Sequence, residues 1–100
     1  MYETRTQGDA VIVKAAGDLG RAELAGIAAV ASRAWREGRV VVVDLAGVTH
    51  LHYAGVALLK SIPGLRAAGA SRYVRDLVHA GGAAGYVELY PDVEEAVQAA

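Results

Sequence analysis

Val40-Val41-Val42-Val43-Asp44-Leu45 runs directly into Ala46-Gly47-Val48-Thr49-His50-Leu51-His52-Tyr53-Ala54-Gly55-Val56-Ala57-Leu58-Leu59, and the reading of this stretch decides the fold. Consecutive valines leave a strand no polar face, so the segment reads as a central strand covered on both sides. Asp44 and Gly47 interrupt the run. From about Ala54 the apolar residues recover helical spacing, with Val56, Leu59 and Ile62 on one side. The stretch therefore predicts a strand, a loop and the start of a helix. In open α/β sheets, ligands and partners meet the protein at the carboxyl ends of strands, where loop side chains and the N–H groups of a helix start are exposed together. A functional site is expected between Thr49 and Gly55.

Upstream, Tyr2 to Gln7 alternates bulky or β-branched residues with polar ones, and Ala10 to Ala16 carries Val11-Ile12-Val13, with Gly8-Asp9 between them as a two-residue turn. This predicts a hairpin whose outer strand lies on the sheet edge. The second strand ends at Gly17-Asp18-Leu19-Gly20. From Arg21 to Glu37, Leu24, Ile27, Ala28, Ala31, Ala34 and Trp35 form one helical stripe, which places Trp35 in the core, and Gly38 is positioned to end the helix in the left-handed conformation. Downstream, the helix begun at Ala54 is expected to reach about Ala68 with a kink at Pro63-Gly64. Ser71 caps a short helix carrying Val74, Leu77 and Val78, although a strand from Arg72 to Val78 also fits. Tyr86 to Tyr90 alternates and reads as a last strand, Pro91 ends it, and Asp92 caps a terminal helix with Val93, Ala96 and Val97 inward. The order ββαβααβα implies right-handed crossovers and a mostly parallel sheet.

Composition narrows the function. One hundred residues without a low-complexity break predict a single domain over residues 1–100, burying roughly 60 to 65% of its unfolded surface. With 10 basic and 11 acidic residues there is no cationic excess to neutralise phosphates, which argues against nucleic-acid binding. The absence of cysteine removes disulfides, thiolate catalysis and Cys-ligated metal, and suits a reducing compartment. No apolar stretch approaches the ~20 residues a membrane span needs, and the polar N-terminus does not read as a signal peptide. A cytoplasmic location without membrane insertion is expected.

Chemistry is sparse. His50 and His52 form an H-x-H pair whose imidazoles share a side if the backbone is extended, but a zinc or nickel site needs a third ligand from His79, Asp18 or Asp44. The plainer reading packs one histidine on the sheet and leaves the other in solvent. Ser32, Ser61 and Ser71 all fall in helical stretches and none lies in a nucleophile elbow. Gly17-Asp18-Leu19-Gly20 resembles a phosphate-binding turn but lacks both the dinucleotide glycine pattern and a P-loop lysine. Tyr53 has two readings: an exposed interface anchor beside His52, or a ring folded down beside Leu51. Arg72 and Arg75 read as a solvated face. No catalytic residue, metal or cofactor is expected.

Taken in order, Gly17-Asp18-Leu19, Val42-Val43-Asp44-Leu45-Ala46-Gly47-Val48, Ala54-Gly55-Val56-Ala57-Leu58-Leu59 and Tyr90-Pro91-Asp92-Val93-Glu94-Glu95-Ala96-Val97 resemble the STAS domain over nearly the whole chain. STAS is the module of bacterial anti-sigma factor antagonists and of sulfate-transporter tails. The resemblance implies a STAS-like α/β fold and a non-enzymatic signalling module that regulates transcription by binding an anti-sigma factor or kinase-like protein. Two departures stand out. The family's switch loop reads Asp-Ser-Ser-Gly, with the first serine phosphorylated by the partner kinase, and here His52-Tyr53-Ala54-Gly55 stands in its place, so serine-phosphorylation control is absent. A strand that the family carries after the second helix is shortened or missing after Gly69, which would leave edge groups to be covered or paired, and a homodimer through that edge is expected.

The partner-binding residues expected on this basis are Asp18, Leu19, Gly20, Thr49, His50, His52, Tyr53, Ala54 and Gly55. Binding would be constitutive, or set by partner abundance or by the charge on the two imidazoles, a group whose intrinsic pKa lies near physiological pH. The alternative is a STAS subunit of a transporter or stressosome-like assembly, which neighbouring genes would separate from the first reading. A lower alternative is a small-ligand or nucleotide binder using the helix N-terminus.

Overall fold

A computed structural model describes residues 2–83 and 85–99. The hairpin forms as the sequence predicts: β1 (Tyr2–Gln7) and β2 (Ala10–Leu19) pair antiparallel, and Gly8 takes φ +60 in the turn. Helix α1 (Arg21–Arg36) follows, closed by a left-handed Gly38. The Gly38 N–H donates to the Trp35 carbonyl at 2.9 Å and the Arg39 N–H to the Ala34 carbonyl at 3.0 Å, the paired closure of a Schellman end. Then come β3 (Val40–Leu51), α2 (Tyr53–Leu59), β4 (Arg66–Ala68), α3 (Arg72–Ala80), β5 (Glu88–Tyr90) and α4 (Val93–Gln98). The five strands lie in the order β1-β2-β3-β4-β5, and every pairing after the hairpin is parallel.

The valine strand is covered on both faces. Val41 and Val43 enter the larger core with Leu24, Ile27 and Ala31 of α1, Val56 and Leu59 of α2, and Val74 and Val78 of α3. Val42 faces the other way, onto Ala68 and Ala96, with Val93 and Val97 of α4 closing that side. The larger core is tight, with a void of only about 10 Å³ among its apolar side chains, room for a single water at most.

The segment expected as a loop after Leu45 is strand. Against β2, β3 slips twice: Lys14 faces Asp44 while Ala16 faces Gly47, and Gly17 faces Val48 while Asp18 faces His50. Each slip inserts one extra residue in β3, a bulge that reverses the inward face. Leu45, Val48 and Leu51, three apart in sequence, therefore all point into the core, whereas an unbulged strand would need them two apart. Gly17 accommodates the second slip at φ +79.

Three further expectations change. The second helix does not run on to Ala68 through a kink at Pro63-Gly64: it ends at Leu59, Pro63 has no N–H to extend the helical ladder, and after Gly64 turns left-handed at φ +66 the chain enters β4 at Arg66. The strand sought after Gly69 is shortened rather than missing, and it lies just before that residue; its three residues pair with β3 on one side and β5 on the other, so no vacated edge remains there to drive dimerisation. Trp35 is 44% exposed, not core. Alanines at 28, 31 and 34 hold α1 close to the sheet, leaving no depth for an indole, and the ring lies outside against Gly64, where a Cβ would sit 2.9 Å from its Cζ3. Residues 72–80 are helical, with the Ser71 Oγ accepting from the Val74 N–H at 3.2 Å. Asp92 caps α4 by accepting from the Glu95 N–H at 2.9 Å.

Candidate functional site

The two segments singled out in the sequence meet at the carboxyl end of β2 and β3. Asp18 faces His50, Leu19 faces Leu51, and the His52 N–H donates to the Leu19 carbonyl at 2.9 Å, which ties the turn into α1 to the start of α2. A single residue, His52, separates β3 from α2. It adopts an extended conformation as N-cap, and its side chain makes no capping bond.

Around that junction Asp18, Thr49, His52, Tyr53 and Ala54 are exposed, while Gly20 and His50 are half-buried. Tyr53 is 66% exposed, which resolves its two readings in favour of the outward ring. Leu19 and Gly55 are different. Leu19 is fully buried in the larger core, and Gly55 is buried where α2 crosses α1. A Cβ at Gly55 would run into Leu24 Cδ1 and lie 3.4 Å from the Arg21 Cα, so this glycine sets how closely the helix start approaches α1. Both residues shape the surface from beneath and present no side chain to a partner.

The histidines divide. The His50 ring stacks on Tyr73 of α3 with centroids 5.8 Å apart, and its Nδ1 lies 2.8 Å from the Tyr73 hydroxyl. With the neutral imidazole unprotonated at Nδ1, the phenol donates; with the imidazolium, the nitrogen donates. Tyr73, itself 53% exposed, thus extends the surface from β3 to α3. Its sequence signal was its place in the first turn of α3, off the Val74, Leu77 and Val78 stripe, but nothing in the sequence pairs it with His50.

Among the described residues no three His, Cys, Asp or Glu side chains gather as metal ligands, and no polar or charged residue is buried. Ser61, expected in a helical stretch, lies in the turn beyond α2, where its hydroxyl donates to the Leu58 carbonyl, and the Ser71 oxygen caps α3. The junction thus offers aromatic, imidazole and carboxylate groups in contact with water, an arrangement suited to binding a surface. At the opposite end of the sheet, Trp35, Gly38, Arg39, Val40, Gly64, Arg66 and Glu88 line an open cleft of about 380 Å³. The sequence did not reveal it, because its lining comes from the starts of three strands and the end of α1.

Among known proteins, no family model and no curated sequence matches the chain. Solved structures do. The crystal structure of an anti-sigma factor antagonist from Mycobacterium paratuberculosis superposes with a TM-score of 0.79 over 99% of this chain and 92% of that one, at 17% sequence identity. The fold is that of the anti-sigma factor antagonists. A second such antagonist, SpoIIAA in its unphosphorylated form, agrees at a TM-score of 0.72, covering 97% of this chain and 93% of that chain at 16% identity. The fold is thus STAS-like, as the resemblance in the sequence implied.

Proposed function

We propose that this chain is a non-enzymatic docking module of the anti-sigma factor antagonist type, binding a regulatory protein through the β2/β3–α2 junction without serine-phosphorylation control. One observation carries the reading: at the opening turn of α2, where the STAS resemblance implies a phosphorylated serine, Tyr53 stands 66% exposed beside exposed His52 and Ala54. A phosphoserine there would add roughly −1.5 to −2 charges at a helix start. A tyrosine places its hydroxyl several ångströms farther out on a rigid ring, beyond the reach of a serine-directed kinase, and offers instead a large amphipathic contact of low entropic cost. Exposed Asp18 and Thr49, with half-buried His50 and Gly20, complete the contact surface; Leu19 and Gly55 hold its shape. In this reading the module acts in the cytoplasm, takes no cofactor, and needs neither nucleic acid nor membrane insertion; no helix among the described residues is long and apolar enough to cross a membrane. Occupancy follows partner abundance.

The test is a titration of the purified chain against the anti-sigma factor or kinase-like regulators of its host. Wild type binds, Tyr53→Ala and Tyr53→Asp bind at least about tenfold more weakly, and incubation with the regulator and ATP places no phosphate on the chain. Full binding by both variants would remove this surface from consideration.

A further inference from the structure

The strand β1 is an edge: the sheet order places it outermost, and it pairs only with β2. Its residues Glu3, Thr4, Arg5 and Thr6 are exposed, and one row of its backbone N–H and C=O groups faces outward with no strand beside it. The opposite edge, β5, is half that length, with three residues to six. Tyr2 pins the start of β1 to α1, since a Cβ at Gly26 would lie 2.5 Å from the Tyr2 hydroxyl. The edge is therefore long, held in place and alternating in charge.

Strand geometry restricts how a second copy can pair with it. Along a strand, successive residues turn their backbone groups to opposite sides, so two residues facing each other in an antiparallel pair must both point toward the partner or both away. When β1 meets its own copy across a two-fold axis, the axis must then pass through a residue and not between two. Centred on Glu3, that residue faces another Glu3; centred on Arg5, it faces another Arg5. Centred on Thr4, each Glu3 faces an Arg5 of the other copy, and Thr4 faces Thr4. Directly opposed like charges destabilise a strand pair and opposite charges support it. Glu3 also faces Lys14 on β2, so this register continues a strip Lys14, Glu3, Arg5 alternating in sign from one sheet into the next. The present partner of Arg5, a hydrogen bond from its Nη1 to Gln7 Oε1 at 3.0 Å, is local and exposed.

We propose that β1 pairs antiparallel with β1 of a second copy of this chain, about an axis through Thr4, joining the two sheets into one. The pairing is isologous and independent of the docking surface proposed above. A contact of one strand lies at the small end of protein interfaces, which suits a dimer dissociating at about 100 μM.

Sedimentation of the wild type and of Glu3→Arg and Arg5→Glu, alone and mixed, tests it. Each variant alone sets like charges opposite each other twice and raises the dissociation constant about tenfold or more. Mixed in equal amounts they form a heterodimer in which every charge is again opposed by its opposite, and the constant returns to within about threefold of wild type. Should either variant fail to fold, Thr4→Cys decides, because the chain has no other cysteine. It crosslinks to itself on mild oxidation faster than Thr6→Cys, which the Thr4 axis places opposite Tyr2. A wild type that stays monomeric at about 1 mM, a dimer that neither variant weakens, a mixture that does not re-form it, or equal crosslinking at positions 4 and 6 would each overturn the proposal.

Discussion

Replacing Gly55 by alanine probes how the site is held. The added Cβ collides with Leu24 Cδ1 and comes within 3.4 Å of the Leu24 Cβ and the Arg21 Cα. Leu24 is 1% exposed and borders only the void of about 10 Å³ in the larger core, too little for its side chain to retreat into. It must leave its rotamer, at about 0.5–1.5 kcal/mol, or α2 must lift from α1, an overpacking cost of about 1–3 kcal/mol. Alanine's better helix propensity returns about 0.5–1 kcal/mol. The net expectation is a loss of about 1–2 kcal/mol, or a Tm lowered by about 5–15 °C for a chain this size. Equilibrium urea unfolding of a double-mutant cycle with Leu24→Ala isolates the contact. The leucine truncation alone costs about 2–5 kcal/mol, but in its background Gly55→Ala becomes neutral or slightly stabilising, for a coupling of about 1–3 kcal/mol. The same loss in both backgrounds, or an alanine variant more stable than wild type, would refute the packing argument. Because the lifted segment carries Tyr53, partner affinity should fall in Gly55→Ala although residue 55 is itself buried.

Other predictions concern single contacts. Tyr73→Phe keeps the stacked ring but removes the hydroxyl bonded to His50 Nδ1, so the His50 Nδ1 resonance should shift while stability falls by only about 0.5–1 kcal/mol; an unmoved resonance would contradict the bond. Gly64→Ala should cost about 1–2 kcal/mol by thermal denaturation, because φ is +66 and the new Cβ meets Trp35; in a Trp35→Ala background the backbone part, about 1 kcal/mol, should remain. Ser71→Ala removes the cap of α3 and should lower stability by about 1 kcal/mol in urea, with Ser71→Gly costing less.

The antagonist fold was legible where local chemistry and burial agree. The valine run could only be a strand covered twice, Gly8-Asp9 could only turn a hairpin, and Gly38, Ser71 and Asp92 mark helix ends through bonds made within a few residues. The exposed junction of β3 and α2 was legible for the same reason, since a central strand handing off to a helix leaves its end at the surface. The sequence His52-Tyr53-Ala54-Gly55, on which the proposed loss of the serine switch rests, is likewise read directly in order.

Tertiary structure decided what depends on a neighbour from far along the chain. Arg66-Ala67-Ala68 has helical propensity and becomes strand only because β3 and β5 supply its hydrogen bonds. Leu45, Val48 and Leu51, three apart, fit no strand period until the bulges against β2 reverse the pleat twice and turn all three inward. Trp35 sits on the apolar stripe of its helix, yet alanine-spaced contact with the sheet excludes its ring. His50 acquires its partner only when α3 folds over the end of β3, a separation of 23 residues that no local pattern encodes. Short-range spacing therefore determined every element this chain makes except β4. Packing between distant segments determined their ends, their register and the side chains that share the surface, because those depend on which backbone groups and which volumes happen to meet.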